Sequence, residues 1–358
     1  IAKALSKRVK LLILDEPTAA LNDEDSDHLL DLILHLKSQG ITSIIISHKL
    51  NEIKKIADSV TVIRDGKTIE TISKSDVTEE RIIKDMVGRD LEHRYPDHTP
   101  HLGEEILRVE NWTAHHPQDS TRVMVDNVNL NVRAGEIVGI AGLMGAGRTE
   151  FARSVFGQTY GQKLSGELYL HGKEMHIRTV QQAINAGLAY VTEDRKSLGL
   201  NLLDTIKQSL TSAGLHKIQR FGVVDDNEES VAAERYRKSM RIKTPSIEEG
   251  VNKLSGGNQQ RVLIGRWLTI NPKLLLLHGP TVGVDVGSKD TIYKVIQALA
   301  EKGMALLVIS DDLPELLQNC DRIIVMRNGR LAAEFSAVTA REEDLYEAML
   351  ASPAEAGA

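Results

Sequence analysis

The stretch EIVGIAGLMGAGRTEFARSVFG, residues 136–157, reads as a β-run, a glycine-rich turn and an amphipathic helix in succession. Inside it, GLMGAGRT (142–149) keeps the spacing G-x-x-x-x-G-K-[ST] of a phosphate-binding loop, with Arg148 at the lysine position. Gly142, Gly145 and Gly147, with Ala146 between the last two, let backbone N–H groups converge on phosphate oxygens, and the start of the helix adds its partial positive charge. Thr149 offers a hydroxyl to Mg²⁺. Arg148 retains a cation, but as a planar fork in place of a compact ammonium, so binding survives better than transition-state geometry.

Outward from this loop the chain repeats itself. An offset of 263 positions aligns LLILDEPTAALN (11–22) with LLLLHGPTVGVD (274–285), and no gap is needed across residues 11–67. Such a repeat is the size of a domain, since solenoid repeats have periods of only ~20–50 residues. Both copies run as an apolar stretch, a polar turn, an amphipathic helix, a second β-branched stretch (SIIIS 43–47, LLVIS 306–310) and another helix. Strands alternating with helices predict a parallel α/β sheet, with the paired strand ends side by side where such sheets bind ligands. The carboxylates Asp15 and Glu16 of the first copy are His278 and Gly279 in the second, and Asp311 stands opposite His48. The phosphate loop precedes the second copy, and the counterparts of Gly142 and Leu254 for the first copy fall before residue 1, so the first unit is expected to be truncated at its N-terminus. HRYPDHTPHLGEE (93–105), rich in Pro, His and charge, reads as a linker.

With 358 residues the chain exceeds the ~250–300 at which a single core stops growing, which favours two domains. A net charge of -6 gives no basic footprint and excludes nucleic acid as the expected partner. No stretch approaches the ~18–20 apolar residues of a membrane span. The single cysteine, Cys320, reads as a small buried hydrophobe and suits a reducing compartment.

LSGGNQQRVLIGRWL (254–268) places Ser255 and two glycines ahead of a helix, a second anion-binding N-terminus. It lies between the phosphate loop and LLLLHGPT, and with that order the whole chain resembles the ATP-binding-cassette (ABC) ATPases. AGLMGAGRTE (141–150), AYVTEDRK (189–196), KLSGGNQQ (253–260) and GVDVGSK (283–289) narrow the resemblance to the duplicated ATP-binding subunit of bacterial ribose-, galactose- and xylose-type sugar importers. It covers nearly every residue to about 350.

The resemblance implies an α/β fold of two P-loop ATPase domains, each with a parallel-sheet core, a helical subdomain and an antiparallel β subdomain. The expected boundaries are 1–92 for the incomplete first domain, 93–105 for the linker, 106–350 for a degenerate second domain and 351–358 for a tail. It implies ATP and Mg²⁺, with Asp15 and Thr149 on the metal, Glu16 polarising the attacking water and His48 at the γ-phosphate. Leu254, Ser255, Gly256, Gly257 and Gln259 would close over the first domain's nucleotide, and Glu193 would read the phosphate of the other. In the site of the 142–149 loop, Arg148, His278, Gly279 and Asp311 all act against hydrolysis, so one working and one silent site are expected. The loss of both strand-end carboxylates goes beyond the family's usual pattern and leaves Mg²⁺ a poor site there. Residues 197–250 are expected to form the helical subdomain that docks on a transmembrane permease, with an extracytoplasmic sugar-binding protein as indirect partner and a location on the cytoplasmic face of the membrane. Two other readings stay open: an ABC-type ATPase acting on ribosomes or DNA, and a non-catalytic nucleotide-binding module. No aromatic before residue 142 is marked for adenine stacking, and Trp112 reads as a core residue.

Overall fold

A computed structural model describes residues 9–18, 23–47, 50–64, 66–78, 81–82, 85 and 102–350. The chain divides into two compact units, the first within residues 1–94 and the second comprising most of the rest.

In the first unit the described elements are β1 (Leu11–Asp15), α1 (Asp23–Ser38), β2 (Thr42–Ile46), α2 (Leu50–Ile56), β3 (Ser59–Arg64) and β4 (Lys67–Ser73). β1 and β2 pair in parallel, and β3 and β4 form an antiparallel hairpin. Alternate residues of β1 point to opposite faces. Leu12 and Leu14 are buried with Leu30, Ile33 and Leu36 of α1, whereas Leu11 and Ile13 stay exposed, Ile13 at 62%.

The second unit opens with β5 (Glu105–His115), β6 (Val123–Arg133), β7 (Ile137–Ala141), α3 (Arg148–Val155), β8 (Gln162–Leu170), β9 (Lys173–Glu174), α4 (Val180–Asn185) and β10 (Leu188–Val191). Then come α5 (Ile206–Thr211), a short hairpin of β11 (Gln219–Arg220) and β12 (Val223–Val224), α6 (Asp226–Ser239) and α7 (Gly256–Leu268). It closes with β13 (Leu274–His278), α8 (Val286–Ala300), β14 (Ala305–Ile309), α9 (Leu313–Asn319), β15 (Arg322–Arg327), β16 (Arg330–Ser336) and α10 (Glu342–Leu350).

Six of these strands form one sheet in the order β10-β13-β14-β7-β15-β16, parallel except for the β15–β16 hairpin. β7, β13 and β14 are buried at every residue, as expected of parallel strands covered on both faces. Their alternating side chains divide between two cores. Leu275, Leu277 and Val308 pack with residues of α7, α8 and α9. Leu274, Leu276, Leu307 and Ile309 pack with α3 and with the antiparallel sheet β6-β5-β8-β9. Parallel core, helical segment and antiparallel sheet are therefore all present in residues 105–350, which make one cassette.

The expected duplication recurs in the coordinates residue for residue. β1, β2, α2, β3 and β4 begin and end 263 positions before β13, β14, α9, β15 and β16, and even the bulge after Val62 returns after Val325. Thr18 donates to Glu52 at 2.7 Å, and its counterpart Thr281 donates to Glu315 at 2.6 Å. Burial marks the difference between the copies. Leu11, Ile13, Ile44 and Ile46 are exposed, while their counterparts Leu274, Leu276, Leu307 and Ile309 are fully buried beneath the antiparallel layer.

The expected linker lies outside the described residues up to His101, as does the tail at 351–358. Trp112 is buried in β5 with its indole N–H donated to Ser154. Cys320 is buried as expected, and burial pushes its thiol far up. Among the described residues no helix is long and apolar enough to cross a membrane.

Candidate functional site in the phosphate loop

The loop 142–147 leaves the C-terminal end of β7, a central strand flanked by β14 and β15, and leads into α3. Its glycines serve two purposes. Gly147, the N-cap of α3, has φ +99°, and a Cβ there would lie 2.8 Å from the Met124 carbonyl oxygen and 3.0 Å from the Gly329 Cα. Gly145 has φ +79°, but a Cβ there meets nothing within 4 Å, so the mouth of the loop is open. Ala146 is buried, its N–H donated to Leu143 and its carbonyl accepting from Gly329. Such a loop fits a phosphate. Gly147→Ala is expected to cost ~2–4 kcal/mol from steric overlap and left-handed strain together, and Gly145→Ala only ~1–2 kcal/mol from strain. Thermal melts of the two variants measure the difference.

Arg148 does not point into that mouth. Its side chain is 10% exposed, and its guanidinium donates to the Ser310 carbonyl at 3.1 Å and to the Asp311 carboxylate. Asp311 follows β14, beside β7, which is why the two residues meet. Two of the four expected departures thus form an ion pair with each other.

The other substituted strand end is paired as well. His278, the last residue of β13, is buried, with Nε2 2.9 Å from a Glu193 carboxylate oxygen and Nδ1 3.2 Å from the Tyr190 hydroxyl. Burial pushes the Tyr190 phenol up to about 12. The hydrogen bond from His278 Nε2–H holds the Glu193 carboxyl below its usual range. Glu193 and Tyr190 come from β10 and the turn after it, adjacent to β13 in the sheet.

Mg²⁺ takes oxygen ligands in near-octahedral geometry and keeps its waters through nearby carboxylates. Here the strand end offers an imidazole with both nitrogens engaged, Gly279 has no side chain, and the two nearby carboxylates are taken by the Arg148 guanidinium and by His278 Nε2–H. Thr149, half-buried at the start of α3, is the hydroxyl the loop itself supplies. This donor set does not fit a hydrated Mg²⁺.

In the LSGG run, Leu254 packs partly buried against the core and Ser255 is exposed at the N-cap of α7, accepting from the Asn258 amide at 2.9 Å. Gly256 and Gly257 are required by close packing. A Cβ on Gly256 would reach the Arg195 guanidinium at 2.8 Å, and one on Gly257 the Ser288 hydroxyl at 2.3 Å. Arg195 in turn donates to the carbonyls of Val282 and Gly283, tying this turn to the one after β13. Gln259 is turned inward, its amide donated to the Val251 carbonyl, and does not join the exposed edge formed by Ser255.

At the end of β1, Asp15 and Glu16 are exposed. Glu16 holds φ +42°, where its counterpart Gly279 has φ +56°, and each donates its N–H to the neighbouring strand at 2.8 Å, Glu16 to Ile46 and Gly279 to Ile309. A glutamate in the left-handed region where the other copy has glycine is backbone strain at a candidate catalytic position. His48 lies outside the described residues. Sequence reading missed Tyr190, the Arg148–Asp311 ion pair and the His278–Glu193 hydrogen bond, although the opposite signs of the substituted residues were visible.

The ABC transporter family model matches residues 125–282. The L-arabinose transport ATP-binding protein AraG of Geobacillus stearothermophilus is 54% identical over all of this chain and 70% of its own length. The xylose import ATP-binding protein XylG of Thermoanaerobacter pseudethanolicus is 46% identical over 96% of this chain and 68% of its own. Among solved structures, a nucleotide-free ATP-binding cassette from an ABC transporter superposes with TM-score 0.56 at 22% identity, covering 70% of this chain and 96% of its own. The cassette MJ0796 with ADP and Pi gives 0.55 at 23% identity over 65% and 99%. At such identities these two speak for the fold alone. With the phosphate loop, the LSGG turn and the parallel sheet in place, and with AraG alike along the whole of this chain and 70% of its own length, this chain belongs to the ATP-binding subunits of ABC sugar importers.

Proposed function

We propose that the chain is part of the ATP-hydrolysing motor of an importer for a pentose or related monosaccharide, with one working and one degenerate nucleotide site. The observation that carries this reading is the pair of matched strand ends: identical backbone hydrogen bonds and left-handed φ, with Asp15-Glu16 on one and His278-Gly279 on the other. In this reading residues 1–92 belong to a first cassette, 93–105 link it to a second at 106–350, and 351–358 are a tail. The exposed apolar face of β1 and β2 supports it, since the same face in the second copy is covered by an antiparallel layer.

Asp15 supplies the hard oxygen that holds Mg²⁺ through its waters, and Glu16 orients the attacking water. His48 reaches the γ-phosphate. Leu254, Ser255, Gly256 and Gly257 serve as the second anion-binding turn, and Gly142 to Thr149 with Glu193 form the degenerate site. Residues 197–250, where the exposed face of α6 lies, meet the permease at the cytoplasmic face of the membrane.

The reading is tested by reconstituting the complete subunit with its candidate permease in proteoliposomes. ATP-dependent uptake of arabinose or xylose, and co-purification with the permease, are expected. ATPase activity with no permease bound and no uptake would point instead to a non-transport ABC ATPase.

A further inference from the structure

The Arg148–Asp311 ion pair and the His278–Glu193 hydrogen bond of the degenerate site occupy the protein groups that a nucleotide would otherwise use. Arg148 is the loop's cation, and its fork is filled by one backbone carbonyl and one carboxylate. The partners differ in mobility. The Arg148 side chain is 10% exposed and fixed by the buried bond to Ser310, while that of Asp311 is 83% exposed. An exposed carboxylate on a loop leaves its partner at small cost, because water rehydrates it. A phosphate competes for the same fork with more charge and more acceptor oxygens.

We propose that Asp311 gates nucleotide binding at the 142–149 loop: its carboxylate holds Arg148 as a phosphate would, and a nucleotide enters by displacing it, without a divalent cation. The proposal rests on the reading of this loop as a nucleotide site. The cation-free part follows from the donor set, in which His278 is locked between Tyr190 and Glu193 and Gly279 offers nothing. Positive charge for the phosphates then comes from Arg148, and it becomes available when Asp311 swings out.

Equilibrium binding of a fluorescent ATP analogue to the 358-residue chain tests this, in EDTA and in Mg²⁺, for the wild type, Asp311→Asn, Arg148→Ala and the double variant. Asp311→Asn is expected to bind about tenfold tighter, the size of effect that close charge pairs produce. In the Arg148→Ala background the same change is expected to have little effect, because the carboxylate then has no fork to occupy. EDTA is expected to leave all affinities nearly unchanged. Equal tightening with and without Arg148 would reduce Asp311 to a general repulsion and overturn the gate. Loss of binding in EDTA overturns the cation-free part. If no form binds the analogue, the loop is not a nucleotide site and the proposal fails with that reading. Asp311 is exposed, so Asp311→Asn should melt with the wild type, which keeps its binding result interpretable.

Discussion

Glu16→Gln, in a subunit whose first cassette is complete, is expected to lower ATP turnover by ~10²–10⁴-fold, the range lost when a positioned general base is removed. Gly279→Glu is expected to leave turnover within about twofold, since a single restored group cannot act where the rest of its set is missing. Both changes are made at the same point of the same backbone. Each position follows a strand end, donates its N–H to the next strand at 2.8 Å and lies at positive φ. What differs is the surroundings. Beside Gly279 the strand end is an imidazole committed to Glu193 and Tyr190, and the loop cation is committed to Asp311. A glutamate at 279 therefore faces no bound metal and no free arginine. Steady-state phosphate release from the two variants in the presence of permease decides the matter. Normal turnover in Glu16→Gln would falsify the division into a working and a silent site.

The same strand ends show what sequence carries and what it does not. The period of the apolar runs, the Pro-Thr that follows them and the constant offset mark β1, β2, β13 and β14 in the sequence, and the helices alternating with them imply their parallel pairing. The same reading marked the glycine-rich loop 142–149 between a strand and a helix, since glycine spacing is a local property. It did not reveal what those residues touch. Arg148 and Asp311 are 163 positions apart, and Tyr190 and His278 are 88 apart, so their meeting depends on the strand order β10-β13-β14-β7, which alternation alone does not fix. Each substitution, read singly, is a loss of catalytic function. Read together in the sheet they are exchanges of a ligand for a protein partner, and charge reversal at two positions was the clue. Gln259 shows the reverse error: a residue adjacent to a nucleotide motif was assigned to the ligand, while helical spacing turns it into the core.

Lys289→Met is expected to destabilise the second unit by about 3–5 kcal/mol, the cost of leaving a buried charge without its partner. Glu315 is wholly buried and accepts from Thr281 at 2.6 Å and from Tyr293 at 3.0 Å, with the Lys289 ammonium 2.5 Å away. Burial drives the Glu315 carboxyl above its usual range despite these donors. Burial also opposes the Lys289 charge, yet the carboxylates of Glu315 and Asp312 hold its ammonium above the ordinary value. The first copy keeps the threonine bond, Thr18 to Glu52, but has Ser26 and Leu30 where the second has Lys289 and Tyr293. In the variant Glu315 keeps two hydroxyl donors and loses its counter-charge, so its folded pKa rises further above the unfolded value near 4.5. A group raised in this way contributes stability below its unfolded pKa and loses it as pH rises through the folded one. The loss should therefore be smaller near pH 5 than near pH 8. At neutral pH the melting temperature is expected to fall by roughly 10 °C for a domain of this size. Lys289→Met combined with Glu315→Gln should recover most of that loss, since a neutral amide has no charge to strand. A single variant that melts with the wild type at pH 8 would show that Thr281 and Tyr293 alone satisfy the buried carboxylate.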